Sequence, residues 1–310
     1  MQRLAGSGLT GRFLHSVDDL TLPEVEAILL RARELEAGAS PEATLSGGCL
    51  GLLFLSPSLR TRVGFAVAAS RLGGTYIDIL EARRGVSMSQ PESFPDTLRA
   101  ASGMVDAVVM RTPFRVERDV VESDLGSPCI NGGDGDGEHP TQALIDLYAM
   151  ERARGPLAEL SVCICGDLTT RVARSLLRLF SRALPRDLLL VAPAGRDDPS
   201  IALPEPLASR TRWATLAESS EVDVLYMAGL PEGNGAFRLS AAERLDFTLT
   251  ADRLRDLRPD ALVLSPMPVI DEIAPAARCD PRVGIFAQSD RGVDMRVALL
   301  ERLLFESRAA

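Results

Sequence analysis

The chain has 310 residues, 46% hydrophobic and 25% charged, with a formal charge of −9. That length exceeds one ordinary hydrophobic core and suits two domains of roughly 150 residues. The acidic balance excludes a nonspecific nucleic-acid surface, which needs clustered positive charge, and no apolar run nears the roughly 20 residues of a membrane helix.

In chain order, apolar runs predict strands over CLGLLFL (49–55), GTYIDIL (74–80), AVVMR (107–111), SVCIC (161–165), DLLLVAP (187–193), DVLYM (223–227) and ALVLSP (261–266). Amphipathic stretches between them predict helices over 62–72, 93–104, 141–153 and 171–183, with a last helix over about 294–307. Such alternation implies βαβ units and parallel sheets. The stretch 141–153, followed by Arg154-Gly155-Pro156, reads as the passage between domains. The expected fold is α/β: two doubly wound parallel-sheet domains of similar size, joined by interdomain helices. Their expected bounds are residues 1–146 with the C-terminal helix 291–310, and residues 147–290.

All 34 basic residues are arginine, so no step can use a lysine. The N-terminal MQRLAGSGLTGRF lacks the apolar stretch of a secretory signal, and a cytoplasmic protein with no membrane partner is expected. The five cysteines show no CxxC pair, and His15 and His139 are the only histidines, so no metal site is expected. Cys163 and Cys165 alternate on an apolar run and read as small core residues.

Three short stretches carry chemistry. In Phe54-Leu55-Ser56-Pro57-Ser58-Leu59-Arg60-Thr61-Arg62 a strand ends and a helix begins. Free N–H groups at such a turn attract an anion, and Arg60 with the Ser58 and Thr61 hydroxyls would complete a phosphate site. The structural alternative is a capped helix with an exposed basic first turn, although basic residues there oppose the helix dipole unless an anion compensates. In Gly135-Asp136-Gly137-Glu138-His139-Pro140-Thr141-Gln142 a Gly/Asp loop enters a helix, with His139 able to donate to a carbonyl oxygen and Gln142 able to bind an amide NH₂. Arg111, in Met110-Arg111-Thr112-Pro113, closes a buried strand at the edge where open α/β sheets bind ligands. Taken singly, His139 and Arg111 each also read as ordinary structural residues.

The SxRTR turn, strand-end MRTP and HPTQ helix start follow one another at spacings that resemble the aspartate/ornithine carbamoyltransferase family. Later pieces resemble it too: Gly166-Asp167-Leu168, Pro266-Met267-Pro268 with Asp271-Glu272-Ile273, and Gln288 through Arg296. The resemblance implies transfer of a carbamoyl group from carbamoyl phosphate to an amine acceptor, with no cofactor. It implies that Ser58, Leu59, Arg60, Thr61, Arg111, His139 and Gln142 bind carbamoyl phosphate. Pro266 and Met267 would place main-chain carbonyls near its NH₂. Arg60, Thr61, Arg111 and His139 would be catalytic. It further implies a homotrimer whose active sites are shared, since a loop matching 84–93 reaches a neighbouring subunit in aspartate enzymes.

The acceptor half departs from that pattern. The loop lysine position falls on Gln90, with Ser87 nearby, and Arg171 matches the arginine for the acceptor's α-carboxylate region. Gly229 and Pro231 stand where aspartate enzymes carry an arginine and a glutamine, with Arg238 the candidate to replace them. Ser265-Pro266-Met267-Pro268-Val269 stands where the aspartate branch has His-Pro-Leu-Pro-Arg. The acceptor residues are therefore read as Ser87, Gln90, Arg171, Arg238 and Met267. The expected activity is carbamoyl transfer to an amino acid or related amine other than ordinary aspartate or ornithine. The alternatives are a divergent aspartate carbamoyltransferase of pyrimidine synthesis and a catalytically silent structural or regulatory homologue. A dehydrogenase is disfavoured because no GxGxxG follows a strand.

Overall fold

The computed structural model describes residues 13–79, 92–121, 125–193, 201–230 and 239–305. They divide into two compact units, one of residues 1–141 with 291–310 and one of residues 142–290.

The first unit is built on a five-stranded parallel sheet in the order β1-β5-β4-β2-β3, with β1 at Phe13–Leu14, β2 at Cys49–Phe54, β3 at Thr75–Asp78, β4 at Ala107–Thr112 and β5 at Cys129–Asp134. Parallel strands need long crossovers, and helices supply them. They are α1 (Leu22–Glu36), α2 (Leu59–Arg71), α3 (Phe94–Ser102) and the short α4 (Arg118–Val121). Local sequence starts these helices where it should. Thr21 and Glu24 form a reciprocal capping box ahead of α1, and Ser93 accepts from the Asp96 N–H ahead of α3. The apolar strand faces bury Leu53, Val108, Met110 and Cys129 with Leu98 of α3 and Phe13.

Two strands of this sheet lay outside the sequence prediction. β1 is two residues long, and β5 reads Cys-Ile-Asn-Gly-Gly-Asp, a composition poor in strand formers. Pairing of β5 with β4 on one side and β1 on the other makes it a strand despite that composition.

The second unit repeats the plan with the order β10-β9-β6-β7-β8. Here β6 is Ser161–Gly166, β7 Asp187–Val191, β8 Thr211–Trp213, β9 Val224–Gly229 and β10 Leu262–Leu264. Its helices include α5 (Pro140–Arg154), α6 (Arg171–Phe180), α7 (Ala241–Leu245) and α8 (Ala251–Asp256). Cys163 and Cys165 lie fully buried in its core beside Val191, Leu225, Met227 and Val263. The helix expected over 294–307 is longer: α9 runs Ile285–Phe305.

From Arg291 onward α9 belongs to the first unit, where ion pairs secure it. Arg31 Nε lies 2.6 Å from Glu301 Oε2, Arg71 Nη1 2.6 Å from Asp294 Oδ1, and Arg291 Nε 3.0 Å from Glu36 Oε1. Glu301 also accepts from the Glu42 N–H at 2.7 Å.

In each sheet the strand order reverses once. Chain order runs outward from β2 to β3 and then jumps to β4 on the other side of β2; it runs from β6 to β8 and then jumps to β9 beside β6. Open α/β sheets bind ligands beyond the carboxyl ends of the strands that flank such a reversal.

Candidate active site

The first reversal point carries the phosphate-type turn. Phe54 at the end of β2 pairs with Arg111 at the end of β4, and the Leu55 N–H donates to the Arg111 carbonyl at 2.8 Å. This pairing sets the start of α2 beside the Arg111 strand end. The β4–β5 register slips between Met110 and Thr112, an irregularity that re-aims the intervening side chain, Arg111.

The start of α2 has the character of an anion site. Its N-cap is Ser58, whose side chain makes no cap hydrogen bond, and its first turn holds no acidic residue. The first-turn N–H groups therefore lack the side-chain oxygen that satisfies them in α1 and α3. Among the described residues the buried Ser56 hydroxyl has no partner. Arg60 sits in this turn, and burial pulls its pKa down from the ordinary arginine value. Arg62 turns away and pairs with Asp78, Nε to Oδ1 at 2.8 Å and Nη2 to Oδ2 at 2.8 Å.

A further cation stands behind the turn. Arg296 of α9 is 3% exposed, with its guanidinium carbon 5.5 Å from the Phe65 ring centre. Its Nη1 donates to the Gly292 carbonyl at 2.8 Å. Gly64 admits it, since a Cβ there would lie 2.7 Å from Arg296 Nη1. Burial first, and the Arg60 charge second, lower its pKa to about 10. Two cations that repel one another next to undercapped N–H groups form a site whose electrostatics favour a phosphate.

Beside it lie the candidate carbonyl-binding groups. Arg111 Nη1 donates to the Gly132 carbonyl at 2.7 Å and lies 3.5 Å from His139 Nε2. His139 Nδ1 lies 3.2 Å from the Thr141 hydroxyl. When that hydroxyl donates to Nδ1, Nε2 carries the proton. Arg111 and His139 then offer two donors spaced to share one oxygen. Thr61 is buried on the same side: a Cβ on Gly132 would approach its Cγ2 to 3.3 Å.

The loop that delivers His139 is braced by Asp134. Its Oδ1 accepts from Asn131 Nδ2 at 2.7 Å and the Glu138 N–H at 2.8 Å, and its Oδ2 accepts from the Val116 N–H at 3.0 Å. Burial would raise the Asp134 pKa, but the His15 ring 3.5 Å away and hydrogen bonds from Val116, Glu138 and Asn131 outweigh it and hold the carboxyl below its usual value. Gly135 turns the loop at φ +46, where a Cβ would strike the Phe114 carbonyl carbon at 2.5 Å.

In the second unit, the reversal point joins β6 to β9. Gly166 pairs with Gly229 across a register slip, and a Cβ on Gly166 would lie 2.5 Å from the Gly229 carbonyl oxygen. The Asp167 N–H donates to that carbonyl at 2.8 Å, Thr170 caps α6, and Arg171 is the first residue of α6. The loop after β10 lies next to Gly229, where a Cβ would come within 3.8 Å of the Glu272 carboxyl. The Ser265 hydroxyl donates to Glu272 Oε1 at 3.1 Å, and the Ile270 N–H donates to Oε2 at 2.9 Å. Met267 adopts φ +50, a left-handed conformation that costs a non-glycine residue on the order of 1 kcal/mol.

Within the first unit, then, Ser58, Arg60, Thr61, Arg111 and His139 gather at one sheet edge. The Leu59 side chain is 75% exposed, so any contribution to an anion comes from its main chain. Within the second unit, the loops bearing Arg171, Gly229 and Pro266-Met267 gather at another edge. Gln142 lies in the first turn of α5, where its amide binds Asp146. Ser87, Gln90 and Arg238 lie outside the described residues. Sequence reasoning missed Arg296 and Asp146. For Asp146 a signal existed, a lone acid four residues after Gln142 in an otherwise apolar helical stretch; Arg296 closed the family-like stretch from Gln288 but was assigned no role.

An undercapped helix start with Arg60 and the buried Arg296 behind it, next to Arg111 and His139 3.5 Å apart, lies at the reversal point of a doubly wound sheet. Comparison with known proteins identifies the class. Residues 12–152 match the family model described as aspartate/ornithine carbamoyltransferase, carbamoyl-P binding domain. The chain is 34% identical to the aspartate carbamoyltransferase catalytic subunit of Archaeoglobus fulgidus, over 94% of this chain and 99% of that one. It is 35% identical to the Haloquadratum walsbyi counterpart, over 94% and 97% of the two chains. Among solved structures it resembles Trypanosoma cruzi aspartate transcarbamoylase in complex with carbamoyl aspartate and phosphate, with a TM-score of 0.83, 29% identity, and coverage of 95% and 96%. The chain belongs to the aspartate/ornithine carbamoyltransferase family, on its aspartate branch, and is a carbamoyltransferase.

Proposed function

We propose that the protein transfers the carbamoyl group of carbamoyl phosphate to the amino group of L-aspartate, releasing phosphate. The observation that carries the reaction is the juxtaposition of the α2 turn with Arg111 and His139. Arg60 and the α2 N–H groups hold the phosphate, which is the leaving group. The amine nitrogen attacks the carbonyl carbon, whose oxygen becomes an oxyanion. Arg111 Nη1, the His139 Nε2–H and the Thr61 hydroxyl donate to that oxygen, each good donor contributing about 3 to 4 kcal/mol. The tetrahedral species collapses as the C–O bond to phosphate breaks, and the departing phosphate takes the amine proton. No covalent enzyme intermediate is required, and orientation of amine and carbonyl supplies much of the rest. Gln142 accepts from the carbamoyl NH₂, with main-chain carbonyls of Pro266 and Met267 in the same role.

Support for aspartate as acceptor comes from the relatives named above, which revises the sequence-based expectation of a non-standard amine. Arg171 is the α-carboxylate candidate, and Ser87, Gln90 and Arg238 remain candidates for the other acceptor contacts. A second reading keeps a different amine. Gly229 replaces a cationic position, and the nearest side chain to it is the buried carboxylate of Glu272. An anionic neighbour there disfavours a second carboxylate on the acceptor.

A homotrimer with shared active sites, working in a reducing cytoplasmic setting, belongs to the same proposal. Leu59, Val63 and Val67 form an exposed apolar stripe along α2, beside exposed Tyr76 and Ile77 of β3, which suits burial against a second copy of this chain. All five cysteines are free, as a reducing compartment requires.

The test is ureido product formation from carbamoyl phosphate with a panel of amines: aspartate, ornithine, N-acylated ornithines, diaminopropionate and small diamines. Carbamoyl aspartate from the wild type, lost in Arg60→Ala and reduced about 10²–10³-fold in His139→Ala, is the expected result. Product with another amine and none with aspartate moves the conclusion to the second reading.

A further inference from the structure

The interior of the second unit holds a carboxylate that the reaction scheme does not use. Asp146 is fully buried on α5 and accepts three hydrogen bonds. Gln142 Nε2 donates to Oδ1 at 2.7 Å, Gln288 Nε2 donates to the same Oδ1 at 2.6 Å, and the Tyr226 hydroxyl donates to Oδ2 at 2.7 Å. Tyr226 comes from β9 and Gln288 from α9, so the three elements packed on this carboxylate each present a donor. Tyr226 is the titratable one of the three, and burial with the neighbouring Asp146 charge holds its pKa well above the usual value.

The two ends of a glutamine amide are nearly equal in size and opposite in hydrogen-bonding character. An ionised carboxylate accepts only, so it can hold only the NH₂ end. With Nε2 committed to Asp146, the Gln142 carbonyl oxygen is the end directed elsewhere. A carbamoyl NH₂ donates only, and a carbonyl oxygen is the end that suits it. Turned over, the amide would set donor against donor. The same carboxylate orients Gln288, whose Oε1 accepts from the Ser265 N–H at 3.1 Å. Ser265 immediately precedes Pro266-Met267, and its hydroxyl lies 3.4 Å from the Met267 N–H. A single buried acid thus holds the amide end of Gln142 and, one residue further, the loop whose carbonyls share its task. Burial makes this charge costly, so an apolar residue would pack there with less penalty.

We propose that Asp146 is a positioning residue for acyl selectivity: it sets the polarity of the Gln142 amide and so makes the site prefer an acyl phosphate bearing NH₂ over one bearing CH₃. The inference rests on the carbamoyl phosphate reading of Gln142 given above.

Acetyl phosphate differs from carbamoyl phosphate by that one group, and binding of each to the full-length protein can be measured by calorimetry. The wild type is expected to favour carbamoyl phosphate by about tenfold or more, the worth of one well-placed hydrogen bond. Asp146→Leu is expected to lose about tenfold in carbamoyl phosphate affinity while acetyl phosphate affinity changes less than about twofold. Asp146→Asn keeps an oxygen for both amides and an NH₂ for the Tyr226 hydroxyl, and should retain the wild-type preference within about threefold. Should Asp146→Leu not fold, Asp146→Ala, which cannot overpack the site, carries the same expectation. Equal weakening of both ligands would mark a structural role and overturn the inference, as would a preference unchanged in the Leu and Ala variants. Failure of the wild type to bind either ligand would instead overturn the underlying site reading, and equal wild-type binding of both would remove the selectivity that Asp146 is held to enforce.

Discussion

Asp146 illustrates how one side chain trades stability for position. Burial, opposed by hydrogen bonds from Tyr226, Gln142 and Gln288, raises its pKa from 3.8 to about 6. The folded state therefore binds this proton more tightly than the unfolded chain does, although the carboxylate is ionised above about pH 6. The stability this contributes is present in full below the unfolded value of 3.8 and is lost as pH rises through about 6. Asp146→Asn is neutral throughout and escapes that loss. Its stability relative to the wild type should improve between pH 4 and pH 7.5, by at most about 3 kcal/mol. Denaturant titrations of both proteins at the two pH values measure this; a difference that stays flat or reverses would show that the carboxylate is not burdened by burial. Other polar residues were legible one at a time but not in their relations. His139 and Arg111 stand 28 positions apart in sequence, and their 3.5 Å approach follows from strand register.

At the scale of elements, the helix starts are local and the strands are not. Thr21-x-x-Glu24 announces α1 and Ser93 announces α3 through caps written in four residues. At α2 the same grammar is broken: Ser58 occupies the cap without a side-chain cap hydrogen bond, which is the arrangement the proposed anion site calls for. β5 shows the converse, since Cys-Ile-Asn-Gly-Gly-Asp has little strand propensity and becomes fully buried by pairing on both edges. The C-terminal part of α9 depends on ion pairs with residues some 220 to 270 positions away. Among them Glu301 is the most buried carboxylate, and Glu301→Ala removes two hydrogen bonds from Arg31, which keeps Glu34 and the Ser40 carbonyl, and leaves the Glu42 N–H without its acceptor. We expect a loss of about 2–3 kcal/mol in unfolding free energy, read from the urea midpoint. A loss under about 0.5 kcal/mol would mean that apolar packing of α9 suffices.

For the whole molecule, the proposed phosphate site predicts a link between ligand and stability. Arg60 and Arg296 repel one another beside the undercapped start of α2, so inorganic phosphate should stabilise the fold. At a concentration near 100 times its dissociation constant the gain is about 2.7 kcal/mol, a rise of a few degrees in Tm. Arg60→Ala should abolish most of that rise without lowering the phosphate-free Tm by much, since it removes one member of a repelling pair. An equal phosphate response in the variant would place the anion elsewhere.

By itself, the sequence determined the alternation of strands and helices, the division into two α/β units, the three chemistry-bearing stretches and the family they resemble, because caps, hydrophobic period and motif order are local properties. Tertiary structure decided what those stretches do together. Strand order placed the α2 turn against Arg111, register slips re-aimed the strand ends, and packing around Asp146 chose which end of Gln142 is held. None of these can be read from spacing, because each is set by contacts between residues far apart in the chain, where burial turns a weak local preference into a single arrangement.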